Sequence, residues 1–322
     1  MKEYIINKND SGQRVDRFLS KAVPKLPKSL LYKYIRLKRI KVNNKRCEIS
    51  QILCENDVLN LYINDEFFEA PKEIKITDSP LELDIVYEDE NIIIVNKKSG
   101  IDVHQGADNG KETLVEIISA YLVRKGEYDP LKENTFSPAI CNRLDRNTSG
   151  LVIAAKNAAA LREINERIRE REIKKTYLCI CCGVPISRHS VESAYLKKGS
   201  HNQVKVSKTP DREARKIITE YDVLSSRDNL SLLKINLITG RTHQIRAHMS
   251  FLGTPVLGDG KYGKVALNKK AKIFRQQLCA YKLTFDLKTE GVLSYLNGKS
   301  FKVEDTHFDC TVFNDFIKKL SL

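Results

Sequence analysis

Long hydrophobic runs are absent from this sequence of 322 residues. No window contains the roughly 18 consecutive apolar residues that a membrane-spanning helix needs. The stretch that begins at Met1 also lacks the apolar core of a signal peptide. We therefore expect a cytoplasmic protein with no membrane partner. No exposed apolar stripe is evident either, which favours a monomer.

Cysteine is present but lacks the spacing of a disulfide framework or a zinc site. Of the eight cysteines, only Cys179, Cys181 and Cys182 lie close together, and no second cluster follows at ligand spacing. They fall in a β-rich run, where Cys179 and Cys181 share one face of a strand. We interpret them as reduced, buried, small apolar residues and expect no metal.

Two further patterns for enzyme sites are missing. His243 and His248 are five residues apart, so their rings lie on different helix faces, and no acidic ligand is nearby. Ser149 lacks the Gly-x-Ser-x-Gly turn of a hydrolase nucleophile. These absences argue against a metal centre and against a serine hydrolase.

Positive charge is abundant and clustered. The chain has 55 Lys and Arg against 41 Asp and Glu, a net charge of +14, which implies a polyanionic partner. Ten basic residues and no acid lie between Lys21 and Arg46. On two short predicted helices beside a hairpin, this run indicates a surface that contacts phosphates. The residues predicted to contact phosphates there are Lys28, Arg36, Lys38, Arg39 and Lys41.

The order of predicted elements suggests two domains. Residues 1–70 form a compact basic α/β module, residues 71–80 a proline-containing linker at the end of a stretch that turns acidic from Asp65, and residues 81–322 a larger domain. In the larger domain, strands occur in runs with occasional helices. This order predicts an α+β fold with a mixed, largely antiparallel central sheet flanked by helices.

One carboxylate, Asp145, sits between Arg143 and Arg146 and precedes small turn-forming residues and a short apolar strand. Loops carried on rigid strands often hold catalytic groups, and an anion beside guanidinium groups stays ionised. Asp145 is therefore a candidate nucleophile or base. The residues alone leave a second interpretation open, in which Asp145 only caps the turn and pairs with Arg143 or Arg146.

A second polar cluster lies in the segment from Thr239 to His248. If Thr242 caps a helix, the free backbone N–H groups there and Arg241 form a phosphate site. His243 and Arg246 are three residues apart, so both side chains can face one cleft.

These motifs together resemble those of the RluA-type pseudouridine synthases. The matching stretches, in the order of that family, are Asn142-Arg-Leu-Asp-Arg-Asn-Thr-Ser-Gly-Leu, Lys175-Thr-Tyr, Thr239-Gly-Arg-Thr-His-Gln-Ile-Arg-Ala-His, Gly253-Thr-Pro and Gly258-Asp. The N-terminal module resembles the S4-type RNA-binding domain, through Arg14-Val-Asp-Arg-Phe-Leu, Arg39-Ile-Lys-Val-Asn-Asn-Lys and Glu55-Asn-Asp-Val-Leu. The resemblance implies a pseudouridine synthase fold and an RNA-uridine isomerase acting on large-subunit rRNA.

The resemblance also implies residue roles. Asp145 would attack the target nucleotide, and Arg143 would fill the gap left by the flipped uridine. Tyr177 would stack on the base and transfer protons, and Arg246 would pair with Asp145. Arg146, Arg241 and His243 would contact the RNA. The isomerisation needs no cofactor, metal or redox partner.

Two positions depart from the family pattern. Asn142 stands where the family has His, so that His is not a required catalyst here. Lys98 stands where the loop Asn-Lys-Pro-x-Gly has Pro, which predicts a less rigid loop from Asn96 to Gly100. Three alternatives remain open: a tRNA substrate, a non-catalytic RNA-binding or ribosome-assembly factor, and a base-cleaving glycosidase. The last would need a second carboxylate beside Asp145.

Overall fold

A computed structural model of the chain describes residues 1–68, 82–104, 112–200 and 203–320. The chain forms two compact units. The first consists of Met1–Leu81, Val115–Ala139 and Ala155–Arg162, and the second of Glu82–Leu114, Ile140–Ala154 and Glu163–Leu322. The predicted linker at residues 71–80 lies outside the described residues, so the predicted domain boundaries stay a prediction.

The N-terminal part of the first unit is a small sheet covered by two helices. Its elements are β1 (Lys2–Ile5), α1 (Val15–Ala22), α2 (Lys28–Arg36), β2 (Ile40–Val42), β3 (Lys45–Arg46) and β4 (Val58–Leu61). The strands pair antiparallel in the order β1-β4-β2-β3. Val15, Phe18 and Leu19 of α1 are fully buried and form the apolar face of the helix.

Ser29 lies in the first turn of α2 but does not cap the helix. Pro27 occupies the position before the helix, and no side chain caps the first turn. Proline fixes its own φ angle near −65°, a geometry that suits the entry to a helix, so Ser29 falls inside the first turn.

The rest of the chain is built around an 11-stranded sheet. Its strands are β5 (Ile85–Glu88), β6 (Ile92–Lys97), β7 (Ala139–Ile140), β8 (Ser149–Ala155), β9 (Ile173–Cys182), β10 (His189–Lys198), β11 (Val204–Ser207), β12 (Arg215–Arg227), β13 (Leu230–Leu237), β14 (Leu278–Phe285) and β15 (Ser300–Lys302). The helices are α3 (Leu114–Arg124), α4 (Ala158–Arg169), α5 (Gln244–Phe251), α6 (Val265–Ala271) and α7 (Asn314–Lys318).

The sheet order is β11-β10-β12-β13-β9-β14-β8-β6-β5, with β15 beside β14 and β7 beside β8. The neighbours from β11 to β14 pair antiparallel, and β14 runs parallel to β8. β6 and β8 are buried along their whole length, which explains their nearly continuous apolar sequences. This arrangement confirms the predicted α+β class with a mixed, largely antiparallel sheet.

Candidate active site

The loop that carries Asp145 connects β7 to β8 and is tied to β8 by Asn142. The buried Asn142 amide donates to the Leu151 carbonyl (3.1 Å) and accepts from the Ile153 N–H (2.7 Å). At the other end, the Thr148 N–H donates to the Asp145 carbonyl (3.0 Å), which closes the turn. Asn142 therefore holds the Asp145 loop on a core strand.

A buried arginine joins Asp145 to a second carboxylate. Arg246 donates through Nη1 to Asp145 Oδ2 (2.7 Å) and through Nε and Nη2 to both oxygens of Asp259 (2.7 and 3.0 Å). The Asp259 side chain is fully buried, whereas that of Asp145 is 26% exposed. The guanidinium thus presents a fixed positive charge to the carboxylate that can reach solvent.

The bond network around Asp259 explains why this buried acid stays charged. Burial alone raises the pKa of Asp259, but hydrogen bonds from Arg246 and from the N–H groups of Lys261 and Tyr262 outweigh burial and lower it. For Arg246, burial lowers the pKa, and the bonds to both carboxylates raise it above its ordinary value. Arg246 is therefore a permanent cation at this position.

The backbone of His243 has a left-handed conformation, and its ring lies in the site. It precedes α5 with φ 55°, in the left-handed region, and no side chain caps the helix, so the prediction that Thr242 is the cap is wrong. The ring lies with Nδ1 2.9 Å from the Tyr262 hydroxyl and Nε2 3.8 Å from Asp145 Oδ2. Burial lowers the pKa of His243 despite the nearby negative charge of Asp145, so the ring is neutral at pH 7.

The buried Lys97 stabilises the Asp145 loop through hydrogen bonds to backbone carbonyls. The Lys97 ammonium donates to the carbonyls of Lys98, Ile101 and Arg146 at 2.9 to 3.0 Å. Burial lowers the pKa of Lys97 to about 7, although Asp102, Asp145 and Cys279 oppose this shift.

The loop around Lys98 is attached directly to the Asp145 loop. The Gly100 N–H donates to the Arg146 carbonyl (2.8 Å), and the Ser99 hydroxyl donates to the Asn147 carbonyl (2.9 Å). These bonds act in addition to those of the Lys97 ammonium.

Asp145 lies in a cleft of about 1680 Å³. Ten Lys or Arg residues and three acids line it, and the basic ones are Arg143, Arg146, Arg169, Arg171, Lys174, Lys175, Arg241, Arg246, Lys261 and Lys282. Tyr177 of β9 is buried in its wall, and burial, then the charge of Asp145, raises the pKa of its hydroxyl, so the phenol is neutral at pH 7. The excess of cations suits a polyanion. The ring of Tyr177 in the wall suits a planar group of that polyanion close to Asp145.

The predicted site residues fall into two groups. The first lines the cleft and consists of Asp145, Tyr177, Arg246, Arg143, Arg146, Arg241 and His243. The second lies in the first unit, on α2, the following turn and β2, and consists of Lys28, Arg36, Lys38, Arg39 and Lys41. All of the second group are exposed except Lys41, which is half-buried. The roles of both groups stay predictions.

Sequence reasoning missed Asp259, Tyr262 and Lys97. Asp259 belongs to the Gly258-Asp stretch that resembles the family motif. Nothing local in the sequence indicates that its carboxylate accepts two hydrogen bonds from Arg246. Lys97 ends the apolar strand Ile92–Lys97, and a charged residue at the end of a buried strand was a usable signal. Within the described ranges, no group of three or more His, Cys, Asp or Glu side chains is arranged to hold a metal ion.

Comparison with known proteins finds two matching families. The family model for RNA pseudouridylate synthase matches residues 91–251, and the model for the S4 domain matches residues 13–59.

Individual relatives match over most of their length. The chain is 34% identical to an uncharacterized RNA pseudouridine synthase of Mycoplasma capricolum, over 93% of this chain and 96% of that one. It is 32% identical to ribosomal large subunit pseudouridine synthase C of Haemophilus ducreyi, over 84% and 82%. Among solved structures, human RNA pseudouridylate synthase domain containing 1 superposes with a TM-score of 0.53 at 26% identity, over 70% of this chain and 84% of that one.

Proposed function

Because the chain belongs to the RNA pseudouridylate synthase family, we propose that it isomerises specific uridines of large-subunit ribosomal RNA with Asp145 as the nucleophile. The observation that carries the proposal is the ion pair between Asp145 and the buried Arg246 at the floor of a basic cleft. The relative of Haemophilus ducreyi that bears the large-subunit name supports the choice of RNA.

The reaction breaks the bond between uridine N1 and the ribose, turns the base and forms a bond from C5 to the same ribose carbon. C5 loses a proton and N1 gains one, so atoms and electrons balance without a cofactor. A carboxylate that bonds transiently to the nucleotide divides this step into two easier ones. In the proposal Asp145 forms that bond, and its own charge is restored when the bond breaks.

The ion pair gives Asp145 a fixed cationic partner inside the cleft. An isolated carboxylate removed from water takes up a proton and loses its nucleophilicity. Arg246 supplies a compensating cation at 2.7 Å, and Asp259 fixes the guanidinium from the opposite side. This arrangement is set before substrate binds, so little reorganisation accompanies the chemical step.

The target must leave its base stack to reach Asp145. Flipping a nucleotide costs a few kcal/mol and needs a group to occupy the gap and a pocket for the base. Arg143 is exposed at the cleft and is assigned to the gap, whereas the neutral phenol of Tyr177 is assigned to stacking on the base and to proton transfer.

The remaining features concern the RNA partner and the location of the protein in the cell. The S4 domain match covers residues 13–59, which include the exposed basic residues of α2, and we assign this surface to rRNA contacts outside the target uridine. No helix in the described part of the chain has the length and apolar character to cross a membrane. The proposal includes a cytoplasmic monomer that acts on rRNA or on an assembling ribosomal subunit.

The test is primer extension after carbodiimide treatment of rRNA from cells that lack the gene, complemented by wild type or by Asp145→Asn. We expect stops at specific large-subunit uridines that disappear with the gene and return only with the wild-type protein. Asn is nearly isosteric with Asp but carries no charge, so it removes the nucleophile and keeps the shape. Equal stops with Asp145→Asn would refute the nucleophile, and stops found only in tRNA would refute the choice of RNA.

A further inference from the structure

Phe274 is a large apolar side chain that projects from the wall of a charged cleft. It is 67% exposed, and of the described lining residues only it and the buried Tyr177 are Phe or Tyr. A single exposed apolar residue is ordinary on a protein surface. What distinguishes Phe274 is its place among cations that line the cleft and the rigidity of the backbone that carries it.

Buried residues hold the backbone on both sides of Phe274. Before it, Ile273 is buried, and its N–H donates to the Asn268 carbonyl (3.0 Å) at the end of α6. After it, the buried Gln276 donates through Nε2 to the Thr148 hydroxyl (2.6 Å), and the Gln277 N–H donates to the Leu257 carbonyl (2.8 Å). The exposed ring is therefore presented from a fixed backbone.

The same segment contacts the loop that carries Asp145 and the loop that carries Asp259, the second carboxylate bound by Arg246. Thr148, the partner of Gln276, closes the Asp145 turn. On the other side, a Cβ placed on Gly258 would lie 2.0 Å from the Arg275 carbonyl, so only glycine allows the loop before Asp259 to pack this closely. The position of Phe274 relative to the reacting carboxylate is consequently fixed from two directions.

We propose that Phe274 is a stacking platform for an unpaired nucleobase of the RNA beside the target uridine. The inference rests on the proposed function and deepens it, since it names a subsite for a neighbouring nucleotide. When a nucleotide is flipped, its neighbours lose a stacking partner, and an aromatic side chain can replace that partner for any base, because every base has a π face. Ten cations against three acids along the walls select a polyanion over an apolar peptide as the occupant.

The test measures binding of a fluorescent RNA hairpin with an unpaired, uridine-containing loop and of a fully paired RNA duplex of the same length. All proteins carry Asp145→Asn, so that no turnover occurs. We expect Phe274→Ala to raise the Kd for the hairpin by ~5- to 150-fold, the range for loss of one base–aromatic stack. Binding of the duplex should change by less than ~2-fold, because its bases are not available to stack.

Two substitutions separate stacking from apolar contact. Phe274→Tyr keeps the ring and should bind the hairpin like the parent protein, whereas Phe274→Leu keeps apolar surface without a π face and should behave like Phe274→Ala. Phe316→Ala is the control: Phe316 is also exposed, at 39%, but lies on α7 and does not line the cleft. It should change neither affinity.

Three results would overturn the proposal: unchanged hairpin binding by Phe274→Ala, full binding by Phe274→Leu, or equal weakening of hairpin and duplex. Failure of the proposed function is a separate result. If the wild-type protein forms no pseudouridine but Phe274→Ala selectively loses the hairpin, only the proposed reaction is wrong. If pseudouridine forms and Phe274→Ala binds the hairpin normally, only the stacking role is wrong.

Discussion

At the scale of single residues, the site depends on how one buried guanidinium is shared. Arg246 holds two carboxylates of opposite character: Asp259, which is fully buried, and Asp145, which reaches the cleft. The planar, five-donor guanidinium can serve both at once, and lysine could not reproduce this two-sided geometry. Asp259 thereby acts as a positioning residue, since it acts on Asp145 only through Arg246.

We predict that Asp259→Asn lowers kcat about 100-fold and leaves KM for RNA within about 3-fold. The reason is that Arg246 loses a charged, bidentate partner, and misplacement of a catalytic group by about 1 Å costs on this order. The protein should also lose roughly 3 kcal/mol of unfolding free energy, because a buried ion pair is broken. Single-turnover pseudouridine formation and urea unfolding measure the two effects.

The matched control is Asp222→Asn. Asp222 forms an ion pair with Lys234 and a hydrogen bond with His189, but all three side chains are partly exposed. Solvent screens such pairs, so the substitution should cost no more than about 1 kcal/mol and leave kcat unchanged. If Asp259→Asn kept the wild-type kcat, Arg246 would not need its second partner, and the positioning role would be wrong.

At the scale of elements, the sequence predicted those helices and strands whose own residues follow a periodic apolar pattern. The buried strand β8 that follows the Asp145 loop was predicted, because it carries its own apolar pattern. β10 was not, since only Ala194 and Leu196 of its ten residues are buried and little apolar alternation results. The pairing of Arg246 with Asp145 spans 101 residues, and only the family resemblance implied it. No local sequence pattern indicates that Asp259 pairs with Arg246.

The parallel pairing of β8 with β14 is a feature that the sequence does not encode locally and on which the Asp145 loop depends. Gly150 lies opposite Ala280 in this pairing with φ +108°, and a Cβ there would lie 2.4 Å from the Ala280 carbonyl oxygen. Any side chain at position 150 would therefore both strain its own backbone and push the two strands apart.

We predict that Gly150→Ala lowers the free energy of unfolding by about 2–5 kcal/mol, the sum of left-handed strain and overpacking. Gly298→Ala serves as the control, because Gly298 also has a positive φ, +76°, but nothing lies within 4 Å of the added Cβ. That control should lose only about 1–2 kcal/mol, from backbone strain alone. Urea unfolding compares the two, and equal losses would contradict the steric origin assigned to Gly150.

At the scale of the whole molecule, the net charge of +14 predicts strong, salt-dependent attraction to RNA. Part of this charge lies on α2, the following turn and β2 of the first unit. Removing residues 1–70 would be a poor test of this surface. Asp10 is fully buried and accepts hydrogen bonds from Asn134 (2.7 Å) and Thr135 (2.6 Å), so truncation would leave these partners unpaired.

Substitution of exposed cations tests the surface without that damage. Lys28, Arg36 and Lys38 are exposed, whereas Arg39 and Lys41 lie over the rings of Tyr34 and Tyr62 at 5.3 Å and contribute to packing. The suitable variant therefore replaces only Lys28, Arg36 and Lys38 with Gln. It removes three positive charges and should leave the fold unchanged.

We predict that this triple variant flattens the dependence of log K on log salt for binding of large-subunit rRNA. Each lost phosphate contact removes about 0.7–0.9 from the slope, so three contacts should remove about 2–3. The control replaces Lys288, Lys318 and Lys319, which are exposed and do not line the cleft, and makes the same change in net charge. Because contacts release counterions and distant charges do not, only the first variant should change the slope. Equal slopes in the two variants would mean that the surface on α2 and the following turn does not touch the RNA.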